Sequence, residues 1–526
     1  MSNPRRSVAA VCMAALLAAC GSTVQVKDTA TVGGGDVGLG ATGGGPSGAT
    51  AGSGTTGLLD GSGAGGATSG SRATSGTGSS TGAGSSTTGG TGSTGATSGT
   101  AATGTSGVPL IHGAESGKGF TKTTITFGVA TSSGYNSVAS SFGVKGVGYE
   151  GDPNSWYDAV ATDLNTHGGV LGRKVKLVKY NYDTAQYLNN QAAANQQACT
   201  SWTQDNKVAA VLLVGFLAED TLLKCLANAN TLLVQVAGAL DYPLHYASTY
   251  EKYPLFLNLD QMVGDRFDKI AIDRLAARDF FHNWNTKTGQ ATSGTGSVGI
   301  VGFSDADGAR QLASEQKQLA AHGVKVGATV ECPRDISGKI SCEQSAVLKF
   351  ASNGITHVFG ADTTFMNNAN SQAYYPRYFV AVEPAIFAAN VPAKQLVGSM
   401  GEGYDPFLDA DPSGYPGDPS PATGHCKRVM KAAGQATTDP LTLWLQMSLC
   451  DAFTFTRDAA SKADALTTTG LLAGFEKLGS TSPSAMTFNS FLGPDSHTSA
   501  SVLRDLVYRS DISSFVYTSK TNYGAS

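Results

Sequence analysis

The chain has 526 residues, with 36 lysines and arginines against 40 aspartates and glutamates, a net charge of −4 and no basic cluster. That balance argues against nucleic acid as a partner and offers no lysine-rich tail to anionic lipid. The 67 glycines are spread unevenly, with most of the excess before residue 110, so the length overstates the folded part; the roughly 400 residues from about Thr121 onward still exceed the size at which one core splits, which predicts two lobes.

The first segment, "MSNPRRSVAAVCMAALLAAC", has a basic start at Arg5 and Arg6 and then an apolar stretch from Val8 to Ala18. This is the layout of a secretion signal, too short to span a bilayer permanently. Its end, Leu17-Ala18-Ala19-Cys20, resembles the lipobox of bacterial lipoproteins, in which cleavage leaves the cysteine as the new N-terminus carrying a lipid. The expectation is a signal peptide over residues 1–19, a lipid anchor on Cys20, and a location outside the cytoplasm on the bacterial cell membrane. An ordinary cleaved signal with a chance cysteine is the alternative. The apolar residues that usually follow a twin-arginine pair are absent, which favours the general secretory path.

Residues 20–117 are mainly Gly, Ser, Thr and Ala, as in "GSGAGGATSGSRATSGTGSSTGAGSSTTGG". Too few apolar side chains are present to offset the entropy of ordering them, so the segment reads as a flexible linker. A coil of that length has a root-mean-square span of roughly 50 Å. Within it, "GGGDVG" formally satisfies GxGxxG, but no strand precedes it and no helix follows, so it is an artefact of composition.

Beyond the linker, strands and helices alternate. "ITFGVAT" from Ile125 reads as a buried strand. "DPNSWYDAVATDLN" reads as a helix capped by Asp152 and begun by Pro153, with Trp156, Ala159, Val160 and Leu164 on one face. A strand "KVKLVKY" follows from Lys174, then one long Ala/Gln-rich helix through Cys199, the apolar strand "VAAVLLVG" from Val208, a helix through Cys225 and the strand "TLLVQVA" from Thr231.

The pattern then restarts with a helix from Asp265, the strand "SVGIVGF" from Ser297, a helix from Gly308 and a strand from Val324. A helix after Cys342, a strand at Thr356, a helix near Asn370, and strands from Arg377 and from Gln395 complete the second run. Two such runs predict an α/β fold of two Rossmann-like lobes with parallel sheets, and a ligand at the carboxyl ends of the strands between them. None of these segments has the unbroken apolar length of a membrane helix.

Setting aside Cys12 and Cys20, six cysteines remain: Cys199, Cys225, Cys332, Cys342, Cys426 and Cys450. An even number in an exported chain reads as disulfides, with fifteen pairings open. Proximity favours Cys199 with Cys225, Cys332 with Cys342, and Cys426 with Cys450. No CxxC, HExxH or GxxxxGK[ST] occurs and the eight histidines do not cluster in sequence. No catalytic residue, metal site or cofactor is nominated.

The stretch "LNTHGGVLGRKVKLVKYNYD", residues 164–183, carries the family resemblance. It resembles the N-x-x-GG-x-x-G-[KR]-x-[VI] turn of the type 1 periplasmic binding proteins, most closely the branched-chain amino acid (Leu/Ile/Val) binding proteins of ABC importers. The element order, "VAAVLLVG" with the apolar strand after it, "SVGIVGFSDADGARQLASEQKQLAAHGVKV" and a disulfide near Cys199 and Cys225 are similar too. The resemblance implies that this turn is structural, with Gly168 and Gly169 ending a helix, Gly172 admitting the strand, and Arg173 and Lys174 solvated. A phosphate loop runs the other way, from strand into helix.

The resemblance further implies hinged lobes over 118–260 plus about 400–490 and over 261–399 plus about 491–526. The ligand-binding loops carry over as "TSSGYN" (Ser132, Ser133, Tyr135), "FLAED" (Phe216, Ala218), "AGAL" (Ala237, Ala239), "FSDADG" (Asp305, Asp307) and "GADTTF" (Asp362), with Tyr404 where the chain crosses between lobes. For each aspartate, capping of the next helix is an equal reading. Phe216, Leu217 and Ala218 replace the first hydroxyl that amino-acid-binding members use on an α-carboxylate, which puts that ligand in doubt. The implied function is solute capture for a membrane permease of an ABC importer. A sensory receptor of the same fold, and an exported enzyme or wall-binding protein, are the alternatives.

Overall fold

The computed structural model describes residues 117–141, 148–216, 218–236, 245–381, 384–411, 417–518 and 520–524. The expected signal, the Cys20 anchor and the linker lie outside the described residues, apart from Gly117.

Strands β1 (Thr124–Ser133), β2 (Lys174–Asp183), β3 (Ala210–Val214), β4 (Leu232–Val236) and β5 (Phe256–Leu259) form an all-parallel sheet in the order β2-β1-β3-β4-β5. β3 shows why. Its Ala210, Leu212 and Val214 pack on one face with the Pro153–Thr166 and Pro440–Lys462 helices. Its Val211 and Leu213 pack on the other with the Gln191–Thr200 and Asp220–Asn228 helices. A strand covered on both faces must be apolar at both parities, which is the pattern of "AVLLV".

After a separate hairpin, β6 (His282–Asn285) and β7 (Gln290–Thr295), a second sheet is built from β8 (Val298–Phe303), β9 (Val326–Cys332), β10 (His357–Phe359), β11 (Arg377–Val380), β12 (Met400–Gly403), β13 (Arg504–Arg509) and β14 (Ser514–Tyr517). Its order is β9-β8-β10-β11-β12-β13-β14, parallel as far as β12 and antiparallel at β13 and β14, so it is not wholly parallel.

The turn at 164–174 takes the shape the glycines imply. Gly168, Gly169 and Gly172 all have positive φ, and a Cβ on Gly169 would lie 2.0 Å from the Arg173 carbonyl oxygen. Lys174 is exposed, but Arg173 is buried, with Nε donating to the Thr121 carbonyl at 2.8 Å. The expectation that Arg173 is solvated is therefore corrected: the guanidinium ties the turn to the start of β1.

Two elements differ from the periodicity. The helix through Cys199 breaks at Asn190, whose side chain accepts from Ala193 N at 3.1 Å and caps a new helix, and it ends in a π turn over Ser201–Asp205. The strand expected from Gln395 begins only at Met400. Gln395 sits in a short helix, Ala393–Leu396, where Tyr378 donates to its side chain at 2.7 Å and its amide donates to the Tyr374 carbonyl at 2.9 Å. Disulfides join Cys199 to Cys225, Cys332 to Cys342, and Cys426 to Cys450.

Three segments pass between the lobes: residues 260–263 after β5, residues 404–408 after β12, and residues 493–500 before β13. The first and third run side by side, with Asn258 N donating to His497 O at 2.7 Å and Ala500 N to Gln261 O at 2.9 Å. Tyr404 joins the second to the first through its hydroxyl, which donates to Gln261 Oε1 at 2.6 Å. β12 (Met400–Gly403) pairs within the second sheet, between β11 and β13.

Candidate functional site

The carboxyl ends of the first sheet gather hydroxyls and aromatic rings. The parallel register sets Ser132 beside Tyr182 and Ser133 beside Asp183. The Ser132 and Tyr149 hydroxyls are 3.2 Å apart, and Ser133 Oγ accepts from Asn181 Nδ2 at 3.0 Å. Tyr135 is half-buried and stacks on Tyr149 with ring centroids 5.2 Å apart. Burial pushes the Tyr149 hydroxyl pKa up from its ordinary value.

At the end of β3 the chain turns through Gly215, at φ +73°. Phe216 follows, half-buried, its ring 4.9 Å from that of Tyr182 and 5.9 Å from that of Tyr187. Ala218 is fully buried and its amide is committed to Gln235 Oε1 at 2.8 Å. The structure thus brings Ser132, Ser133 and Phe216 to one edge and puts the Ala218 methyl in the core. Ala237 and Ala239 lie outside the described residues.

On the second lobe, Asp305 caps the Ala306–Ala321 helix by accepting from Gly308 N at 2.8 Å, and it pairs with Arg334. Asp362 caps the Thr363–Ser371 helix by accepting from Phe365 N at 2.9 Å, and it pairs with Lys339 at 2.9 Å. Burial opposes the Asp362 charge, but Lys339 and the cap bonds outweigh it and lower the pKa. Tyr404 is buried edge-on to Phe267, and the neighbouring Glu402 is buried with Arg278 donating to it at 2.7 Å.

Asp307 behaves differently, because it reaches the other lobe. It accepts from Thr249 Oγ1 at 2.9 Å, pairs with Arg310, and lies 3.6 Å from Nδ1 of the buried His245. Burial works against its charge, yet His245 and Arg310 together hold the carboxyl well below the usual range. Arg310 also donates to Thr249 Oγ1 at 3.2 Å, so the helix Ala306–Ala321 and the helix Ala247–Lys252 of the first lobe meet through charge-assisted bonds.

Sequence reasoning missed the rings of Tyr149, Tyr182 and Tyr187 and the Thr249–Arg310 contact. The alternation in "KYNYD" at the end of β2 carries a signal for Tyr182; nothing local announces the others. Among the described residues no group of three His, Cys, Asp or Glu side chains is placed to hold a metal ion. The edge can hydrogen-bond a polar group and cover an apolar one.

No protein-family model matches the chain, and no curated protein does. Solved structures do match. A substrate-binding periplasmic protein from Ralstonia solanacearum superposes with a TM-score of 0.52 at 16% identity, covering 73% of this chain and 98% of that one. The chain has the type 1 periplasmic binding protein fold. Two further structures share this fold at similar distance. A solute-binding protein of an ABC transporter from R. palustris, in complex with 4-hydroxybenzoate, gives a TM-score of 0.51 at 13% identity over 76% of this chain and 97% of its own. A branched chain amino acid ABC transporter protein from Thermus thermophilus, with bound valine, gives 0.51 at 12% identity over 77% and 97%. The type 1 fold thus holds solutes as unlike as an aromatic acid and an aliphatic amino acid in those proteins.

Proposed function

We propose that this chain is a lipid-anchored, extracytoplasmic solute-binding protein of an ABC importer. It captures a small amino acid-like or other polar solute between its lobes and presents the closed form to a membrane permease. The observation that carries the reading is the type 1 fold, with Ser132, Ser133 and Phe216 at the strand ends of one lobe and Asp307 reaching across from the other. A solute touching both lobes binds the closed form better than the open one, and that difference shifts the population; no bond need be made or broken. The three disulfides fit an exported protein, the anchor on Cys20 holds it at the membrane, and the linker lets it work away from the surface.

Phe216 in place of a hydroxyl argues for a solute with an apolar part rather than a plain α-amino acid head group. The test is native mass spectrometry of the gently purified protein, followed by a thermal-shift screen over amino acids, amides, polyamines, sugars and aromatic acids. Stabilisation by one class, with the compound recovered unchanged, supports the reading; turnover of the compound would sink it.

A further inference from the structure

The three crossings enclose carboxylates that the solute reading does not use. Asp260, in the first crossing, sits at φ +59° and is fully buried. Its Oδ1 accepts from Ser484 Oγ at 2.9 Å and lies 3.5 Å from Ser499 Oγ, while its backbone N donates to Ser499 Oγ at 2.8 Å. Ser484 Oγ is also 2.6 Å from Oδ2 of Asp451, a buried residue of the Pro440–Lys462 helix, and Ala485 N donates to Asp451 Oδ1 at 2.7 Å. One hydroxyl proton cannot serve both carboxylates at once, and Asp260 Oδ2 has no donor.

The second crossing adds Asp405, with Asp409 directly after the crossing, both buried. Asp405 accepts from the Trp444 indole of the same long helix, and its backbone N donates to Asp409 Oδ2 at 2.7 Å. Tyr517 of β14 donates to Asp409 at 2.6 Å, and Arg504 acts on that tyrosine. His497, on the third crossing, gives its Nδ1 to the Phe256 carbonyl at 2.7 Å and stacks on Tyr250. The groups acting on Asp260 are thus Asp451 and Asp405, both acidic, with serine hydroxyls. Two buried carboxyls that share a serine hydroxyl and also meet each other directly cannot both ionise, so the pair keeps a proton.

We propose that this hinge senses protons: Asp260 and Asp451 share one in the lobe arrangement described, and the rotation that re-spaces the lobes parts them and releases it. Asp260 is on a crossing between the two lobes' cores, whereas Asp451 lies in a helix packed in the first lobe's core. Proton binding and lobe spacing are then linked. Acid favours the arrangement described, alkali the other. Burial and the Asp451 charge raise the Asp260 pKa, in keeping with this geometry. The inference needs no particular solute, so a failed solute screen leaves it standing.

The test is the lobe-to-lobe distance in the solute-free full chain, read by double electron-electron resonance between nitroxides on unnatural residues at the exposed Leu188 and Leu348, from pH 5 to pH 8. One linked proton changes the population ratio by up to about tenfold per pH unit, and a change of at least tenfold across the range is expected. Asp260→Asn and Asp451→Asn should flatten it. A wild-type distribution that ignores pH, or a folded Asp260→Asn chain with undiminished dependence, overturns the proposal. Should both variants fail to fold, Ser484→Ala decides: it removes the bridging hydroxyl but neither carboxyl, so the midpoint should move upward, and an unmoved midpoint overturns the proposal.

Discussion

Gly169 shows how little freedom the family turn has. It combines a left-handed φ of +68° with a Cβ position 2.0 Å from a backbone oxygen, and backbone cannot step aside as a side chain does. Gly169→Ala should lower the unfolding free energy by about 2–4 kcal/mol, read from urea midpoints at constant m. Asp451 gives a pH prediction of defined sign. Burial pushes its carboxyl up to about 6, so between its ordinary value and about 6 the folded chain holds a proton that the unfolded chain has released. Stability should therefore fall as pH rises through that window, by on the order of 1–3 kcal/mol, and Asp451→Asn should remove much of the slope. Urea denaturation at pH 4.5 and pH 7 measures it; a wild type more stable at the higher pH by that amount would contradict it. Phe216→Ser tests the solute reading at one position. It should weaken binding of a solute with an apolar part by about tenfold or more, the scale of one lost ring contact, checked by calorimetry with whichever compound the screen returns.

Between residue and molecule, the elements tell which signals a sequence carries. β3 was legible because both its faces are covered, and the helix after Asp152 because cap, proline and apolar face agree. The break at Asn190 and the late start of β12 were not, because they depend on a cap bond and on the tyrosine partners of Gln395, set by tertiary neighbours. Arg173 misled for the same reason, since its acceptor, Thr121, is 52 residues away in sequence. At the site, Ser132, Ser133 and Phe216 were readable as loop positions after strands. The rings that surround them, and the reach of Asp307 to Thr249, needed the fold. The Cys199–Cys225 disulfide ties the Gln191–Thr200 helix to the Asp220–Asn228 helix across a separation of 26 residues. Replacing both cysteines by serine should cost about 3–4 kcal/mol in the chain-entropy view, read as a shift in urea midpoint against the wild type under non-reducing conditions. Loss of binding without loss of stability would instead assign the disulfide to the site.

At the scale of the molecule, two sheets are joined by three crossings. Charge-assisted contacts at Asp307 join the lobes, while buried carboxylates sit at the crossings between them. The proposed function requires that a small solute be held between those lobes and released unaltered. Titration calorimetry of the purified full chain with the compound identified by native mass spectrometry tests this most directly, with the compound recovered and weighed afterwards. Saturation at one solute per chain, weakened by both Phe216→Ser and Asp307→Ala, and an intact compound at the end are expected. Conversion of the compound, or saturable binding indifferent to changes on both lobes, would contradict it.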